Sequence, residues 1–289
     1  MYLSKLLITT SWVAGTLAFP ANHLANLEKR GLLSGILDLT SGLLQGVERD
    51  LENVLSALDP FTNKAIDVTG DHAFQAPSST DQRGPCPGLN ALANHGYIHR
   101  SGVVSLIDAV AGMHQVYNMG VDLALVLAIM GVVWTGNPVS LDPSFSIGGN
   151  STAASNALDN LQGLLGTPQG IDYSHNFLEA DASPTRNDLY LTDDAWTMNM
   201  TRFQQLYDTV PSEESFSFDV LSKWSADRWH ESVETNPNFY YGPFTGMIAR
   251  NAGYFFVGRL FANHSRGTTE GLLSKLDIKC YSAWCHADW

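Results

Sequence analysis

The sequence predicts a mostly α-helical protein: a single compact helical domain carrying an N-terminal helical arm. Three observations lead there. Apolar residues recur at spacings of three and four along much of the chain, the period of a helix with one buried face. Strand signals are few and short. The 289 residues are 44% hydrophobic, enough to bury a substantial core, and three cysteines are too few for a disulfide scaffold. A net charge of −13 without any run of Lys or Arg argues against a general nucleic-acid binder, which meets phosphate with clustered cations.

In chain order, residues 1–18 read as a signal peptide. Lys5 precedes an apolar run from Leu6 to Phe19, and Thr16-Leu17-Ala18 supplies small residues for cleavage. The alternative, an uncleaved anchor, has an apolar stretch shorter than the roughly 20 residues a span needs. Residues 19–30 form a candidate propeptide ending in the dibasic pair Lys29-Arg30, whose removal leaves a more acidic mature chain. Residues 31–63 make the helical arm: Leu32, Leu33, Ile36, Leu37, Leu43, Leu44, Val47, Leu51, Val54 and Leu55 keep the helical period until Asp59-Pro60 ends it. Its polar face carries Glu48, Asp50 and Glu52 rather than the lysines of a membrane-surface helix.

The main domain, 64–289, follows. Residues 76–88 are loop-like, and helices are expected at 89–95, 101–117, 121–134, 199–209, 214–232 and 244–262, with polar loops at 148–160 and 184–195. The 121–134 segment is apolar nearly all round but too short to cross a bilayer, so it is expected as a buried central helix.

Chemistry-bearing residues are sparse. Cys86 stands between Pro85 and Pro87; Pro87 keeps it out of the α region, and a helix opens just after it. The sulfur then meets the free N–H groups at that helix's positive end, a setting that stabilises a thiolate and suits a soft metal or a haem iron. A buried inert cysteine is the plainer alternative. Cys280 and Cys285 are expected to bridge in an oxidising compartment, leaving Cys86 as the odd thiol; pairing with another subunit is the alternative.

Glu179-Ala180-Asp181-Ala182-Ser183 offers carboxylates, a hydroxyl and carbonyls, hard ligands for Mg²⁺, though acidic loops are commonly just solvated. His95 and His99 could share a helix face as zinc ligands do, but no Glu or third ligand accompanies them. No GxSxG, P-loop or GxGxxG arrangement occurs. Sequons at Asn150, Asn199 and Asn263 fit a secreted, extracellular glycoprotein.

The run Arg83-Gly84-Pro85-Cys86-Pro87-Gly88-Leu89-Asn90-Ala91-Leu92-Ala93-Asn94-His95-Gly96-Tyr97, followed by Glu179-Ala180-Asp181-Ala182-Ser183, Arg186 and Thr235-Asn236-Pro237, resembles the fungal haem-thiolate peroxidases, the family of chloroperoxidase and the unspecific peroxygenases. The likeness runs from about Phe74 to Ser265. It implies a helical fold around a b-type haem with Cys86 as proximal thiolate. It also implies a Mg²⁺ (or Mn²⁺) held by the Glu179 carboxylate, the Ala180 carbonyl, the Ser183 hydroxyl and a haem propionate, with Asp181 orienting the loop. The implied activity uses H₂O₂ to oxidise or oxygenate a small, aromatic or apolar organic substrate through a Cys-ligated oxo-ferryl haem, without a reductase, in a monomer or homodimer.

Two departures follow from the same resemblance. Family members place a distal Glu over the iron, partnered by a His in the middle of the Glu-x-Asp motif or by an Arg seven residues before that Glu. Here the motif's middle is Ala180, and alignment of Arg250-Asn251-Ala252-Gly253-Tyr254 sets Asn251 at the distal position, with Phe244 or a neighbour where the Arg would be; a shift as far as Ala249 alters this. Arg250, or Glu231 with His230 and Glu234 upstream, are substitute candidates. Phe177, Phe244, Phe255 and Phe256 are candidate channel walls. The alternative function is a haem-binding member with weakened peroxide chemistry, acting in binding or a specialised biosynthetic step. A third reading discards the resemblance: a helical metal-binding domain without haem.

Overall fold

Where the apolar residues keep a 3.6 period, the chain is helical. The computed structural model describes residues 66–138, 142–151, 168–175, 177–211, 215–242, 245–265 and 271–278, all within the unit Leu58–Trp289. The expected signal, propeptide and arm segments, Phe244, Cys280 and Cys285 lie outside the described residues.

Helix α1 is Pro87–Asn94, with proline in its first turn where no N–H is lost. Strand β1, Val103–Ser105, leads directly into α2, Leu106–Tyr117. The Ser105 hydroxyl accepts the Asp108 N–H at 3.1 Å, and this cap sets where α2 begins. Helix α2 ends on Asn118 at φ 52°, and α3 runs Val121–Thr135. Strand β2, Ser144–Ser146, pairs antiparallel with β1, Val103 opposite Ser146. Then come α4 (Leu189–Thr192), α5 (Met200–Asp208) and α6 (Phe218–Thr235), followed by a π-helical turn, Thr245–Arg250, that runs into α7, Asn251–Leu260.

Three expectations are corrected. The segment 101–117 is not helical from its start, because β-branched Val103 and Val104 are half-buried and fully buried in turn and pair with β2. The loop expected at 184–195 contains α4, too short to display a period. The 121–134 helix is buried on one face only: Ala124, Ala128 and Val132 are inside, while Leu123 and Val126 are 44% and 47% exposed. Its packing on the sheet is close, since a Cβ on Gly131 would stand 2.9 Å from the Phe145 ring.

Helix α2 packs on α3 and α6 on α7. One part of the core gathers Leu206 and Leu221 from α5 and α6, Val210 and Phe216 from between those helices, and Leu273 from the 271–278 segment; buried Leu92, Val104, Val110, Val132 and Ile147 come from α1 to β2 and the residue after it. Among the described residues, no helix is long and apolar enough to cross a membrane.

Candidate active site

A cavity of about 310 Å³ takes walls from α1, α2, α3, α5 and α7 and from the 178–186 loop. It gathers Cys86, Glu179, Ala180, Asp181, Ser183 and Arg250 from segments far apart in sequence. Its remaining lining is dominated by apolar side chains such as Met113, Leu127, Phe145 and Phe256.

Cys86 is the N-cap of α1, extended at φ −86°, ψ 103°. Burial pushes its thiol up from the ordinary value, while the Leu89 N–H, the Arg186 guanidinium and the Gly88 N–H pull the other way by favouring the anion. The turn bearing it is fixed by side chains of the same motif. The Gly84 N–H donates to Asn90 Oδ1 at 3.0 Å and the Asn90 amide donates to the Gly84 carbonyl at 2.9 Å. Arg83 Nε donates to Asn94 Oδ1 at 2.8 Å. Gly84 itself has no room for a side chain, since a Cβ would meet the Ile147 carbonyl at 2.0 Å. His95 and His99 do not converge: His95 Nδ1 lies 2.7 Å from the His72 carbonyl, and His99 Nδ1 lies 2.6 Å from Ser101 Oγ.

The 179–183 loop is held from three sides. The Glu179 N–H donates to Ser174 Oγ at 3.0 Å, and His175 Nδ1 lies 2.5 Å from Glu179 Oε2. Ala182, left-handed at φ 60°, donates its N–H to Asp188 Oδ1 at 3.0 Å and accepts the Tyr254 hydroxyl on its carbonyl, also at 3.0 Å. Arg228, 1% exposed, donates from Nε to the Ser183 carbonyl at 3.1 Å and pairs with Asp188 at 3.7 Å. Asn236 of the Thr-Asn-Pro segment donates to Asp188 Oδ2 at 3.2 Å. A buried non-glycine residue at positive φ is a strain that surrounding bonds must hold, and here they are visible.

Carboxylates outnumber their cations here. Burial raises Glu179, against the opposing hydrogen bond and charge of His175. Burial and the Asp188 charge push Asp181 up to about 6. Burial opposes charge on His175, but its hydrogen bond to Glu179 and the charges of Glu179, Asp181 and Asp188 prevail, raising it. Asp181 Oδ1 is buried with no partner among the described residues. Among them, no group of three or more His, Cys, Asp or Glu side chains converges as a metal site. The donors present are of another kind: carboxylate, backbone carbonyl and hydroxyl on one cavity wall, suited to a hard cation completed by an added anion, and a lone thiol on the wall of an apolar cavity, suited to a planar ligand's iron.

Of the distal-side candidates, Arg250 lines the cavity and Asn251 and Glu231 do not. Asn251 is exposed and absent from the cavity lining; its amide donates to the Met247 carbonyl at 3.2 Å. Glu231 also lies off the cavity, exposed on α6, where it pairs with Arg202 at 2.9 Å and with Arg228; His230 and Glu234 are likewise exposed. The π-helical turn before α7 brings Ile248, Ala249 and Arg250 to the cavity, and Ala252 and Gly253 follow on the far side of Asn251. Arg250 donates to the Ser225 carbonyl at 2.5 Å, and its guanidinium lies 5.5 Å and 5.3 Å from the Trp229 and Tyr254 ring centres. Phe256 lines the cavity, whereas Phe177 and Phe255 are exposed away from it.

Of the sequons, Asn150 is exposed. Asn199 caps α5 and donates its amide nitrogen to Asn187 Oδ1 at 2.7 Å, so the atom a glycan would take is already engaged. Asn263 Oδ1 accepts the Ser265 N–H at 3.0 Å. Sequence reasoning missed His175, Asp188, Arg228 and Tyr254. The spacing of His175 four residues before Glu179 was the one available signal; Arg228 is buried on a helix where Asp227, His230 and Glu231 are exposed.

The model of the family described as peroxidase, family 2, matches residues 72–285. An aromatic peroxidase of Fusarium equiseti is 52% identical over 223 residues, 76% of this chain and 51% of that protein. The dothistromin biosynthesis peroxidase of Dothistroma septosporum is 40% identical over 219 residues, with the same shares. An aromatic peroxygenase of Coprinellus radians is 32% identical over 199 residues, 66% of this chain and 72% of that protein. The chain thus spans about half the length of the first two of these relatives. With the cysteine turn, the acidic loop and the cavity between them all inside the matched span, the chain belongs to family 2 of the peroxidases.

Proposed function

We propose that this chain is a secreted haem-thiolate peroxidase or peroxygenase that uses H₂O₂ to oxidise or oxygenate small aromatic or apolar compounds. One observation carries the reading: the Cys86 thiol and the Glu179, Ala180 and Ser183 oxygens share one apolar cavity. When bound, haem b would supply the redox chemistry with peroxide, and a thiolate on its iron would donate electron density that favours O–O cleavage. Cys86 would hold the iron; burial raises its thiol, and the α1 N–H groups and Arg186 offset part of that by favouring the anion. Glu179, Ala180 and Ser183 would hold Mg²⁺ or Mn²⁺, which would offset carboxylate charge beside them. The apolar lining excludes water and accepts an apolar substrate; the names of the Fusarium and Coprinellus relatives support an aromatic one. Secretion rests on the N-terminal signal pattern and the sequons.

Arg250 can hydrogen-bond a peroxide oxygen and steady negative charge on it, but a guanidinium cannot take up the proton. The carboxylates on the cavity, among the described residues, are Glu179 and Asp181, both in the cation loop. That favours a second reading: peroxide activation without positioned acid–base assistance, worth roughly 10²–10⁴-fold, and a role in a slow biosynthetic step or in binding.

The ferrous–CO spectrum of the haem-loaded protein is expected to show the strongly red-shifted Soret band of an axial thiolate, and Cys86→Ala is expected to abolish it. Survival of the band in the variant would overturn the ligand assignment, and absence of any Soret band in the parent would overturn both haem readings. Turnover of an aromatic substrate with H₂O₂ then separates the first reading from the second.

A further inference from the structure

We infer that His175 is the positioning residue of the cation site: it fixes the Glu179 carboxylate so that its other oxygen faces the cavity. The inference rests on the cation reading above and adds a residue that the Glu179–Ser183 motif does not contain.

Glu179 is buried, and a buried carboxylate is free to rotate between several poor arrangements unless one oxygen is tied. His175 supplies the tie at 2.5 Å, from Nδ1 to Oε2. The imidazole is itself held. Its ring meets Tyr190 edge-on at 4.7 Å between centres, and its Nε2, buried without a hydrogen-bond partner among the described residues, lies 3.8 Å from Asp181 Oδ2, an oxygen that accepts the Tyr240 N–H at 3.1 Å. Upstream, the backbone of Glu179 is anchored through Ser174, whose hydroxyl donates to the Ile171 carbonyl at 2.7 Å. His175 does not line the cavity, whereas Glu179 and Asp181 do, so it acts on a bound cation only through the carboxylates. A ligating carboxylate with its second oxygen hydrogen-bonded is pre-aimed, and loss of such an outer partner typically weakens metal binding 10- to 100-fold.

The test measures Mg²⁺ affinity of the full-length, haem-loaded protein, by elemental analysis after equilibrium dialysis against graded free Mg²⁺. Four proteins are compared: the parent, Glu179→Gln, His175→Leu and His175→Asn. Leu keeps the buried volume without a donor; Asn keeps an N–H donor close to where Nδ1 stands. His175→Leu is expected to bind Mg²⁺ at least about tenfold more weakly, with His175→Asn recovering most of that loss and both keeping the parent's circular dichroism. If His175→Leu fails to fold, the Asn variant must still bind more tightly than His175→Ser, a small side chain whose hydroxyl falls short of Glu179. Parent-like affinity in His175→Leu, with affinity lost in Glu179→Gln, would overturn the positioning role and leave the cation site standing. Failure of the parent to bind Mg²⁺, or indifference to Glu179→Gln, would overturn the cation reading and this inference with it.

Discussion

At the scale of single residues, the cysteine turn depends on atoms that are not there. A Cβ at Gly84 would stand 2.0 Å from the Ile147 carbonyl and 2.6 Å from Asp172 Oδ1. The Ile147 carbonyl is backbone and the Asp172 side chain is buried, so Gly84→Ala is expected to destabilise the protein by about 1–3 kcal/mol and to disturb the sulfur two residues on. Urea unfolding and the ferrous–CO band would report the two effects separately. Asp172 is the other half of that contact. Burial, reinforced by Asp194 and Glu179 against the pull of Arg186, pushes its carboxyl up to about 7, and Oδ1 has no partner among the described residues. A carboxyl held above its ordinary value stays protonated in the folded state while the unfolded chain ionises. Between the ordinary value near 3.8 and about 7, this group therefore takes stability away as pH rises, and adds no further loss above that window. Asp172→Asn is expected to flatten the fall in melting temperature across that window relative to the parent, and parallel profiles would contradict this origin.

At the scale of elements, α6 reaches the site from behind. Its buried Arg228 joins the Ser183 carbonyl, Asp188 and Glu231, so one side chain ties α6 to the loop bearing the candidate cation ligands and to the residue before α4. Arg228→Met fills similar space but strands Asp188, itself 1% exposed. Leaving a buried charge without its partner costs about 3–5 kcal/mol. The midpoint of urea unfolding is expected to drop accordingly, and Asp188→Asn in the same chain should recover part of the loss; no drop would mean that the pair adds little. This tie was not legible from sequence, because the helical period of 214–232 gives no sign that Arg228 turns inward while Asp227 and Glu231 stay exposed. The long α6 announced itself by period and α3 by an apolar run, whereas β1 exists through its pairing with β2 and α4, four residues long, shows only the buried Leu189. The 245–260 segment shows the subtler limit: helical spacing was evident, but a π turn and an α turn share it, and the difference decides that Arg250 rather than Asn251 reaches the cavity.

At the scale of the whole molecule, the cavity is where the matched family pattern becomes a shape. The cysteine turn and the acidic loop were legible because each is a dense run of special residues. That they line one cavity, together with Arg250, is a consequence of packing that no local pattern encodes. The arrangement also has an energetic consequence. A chain that surrounds an apolar cavity forgoes the contacts that a filled core would make, and a ligand that binds only the folded state returns that stability through mass action. With free haem at a thousandfold its dissociation constant, linkage supplies about 4 kcal/mol. For a chain of this size, 1 kcal/mol moves the melting temperature by about 2–4 °C. Haem extraction is thus expected to lower the melting temperature by roughly 10 °C and to increase binding of a dye that fluoresces on apolar surfaces. Because the candidate cation ligands line the same cavity as the thiol, chelation of Mg²⁺ should weaken haem binding by the same factor as haem removal weakens Mg²⁺ binding. Titration of each ligand with the other present and absent measures both factors, and independent affinities would show that the thiol and the cation ligands do not act on one bound group.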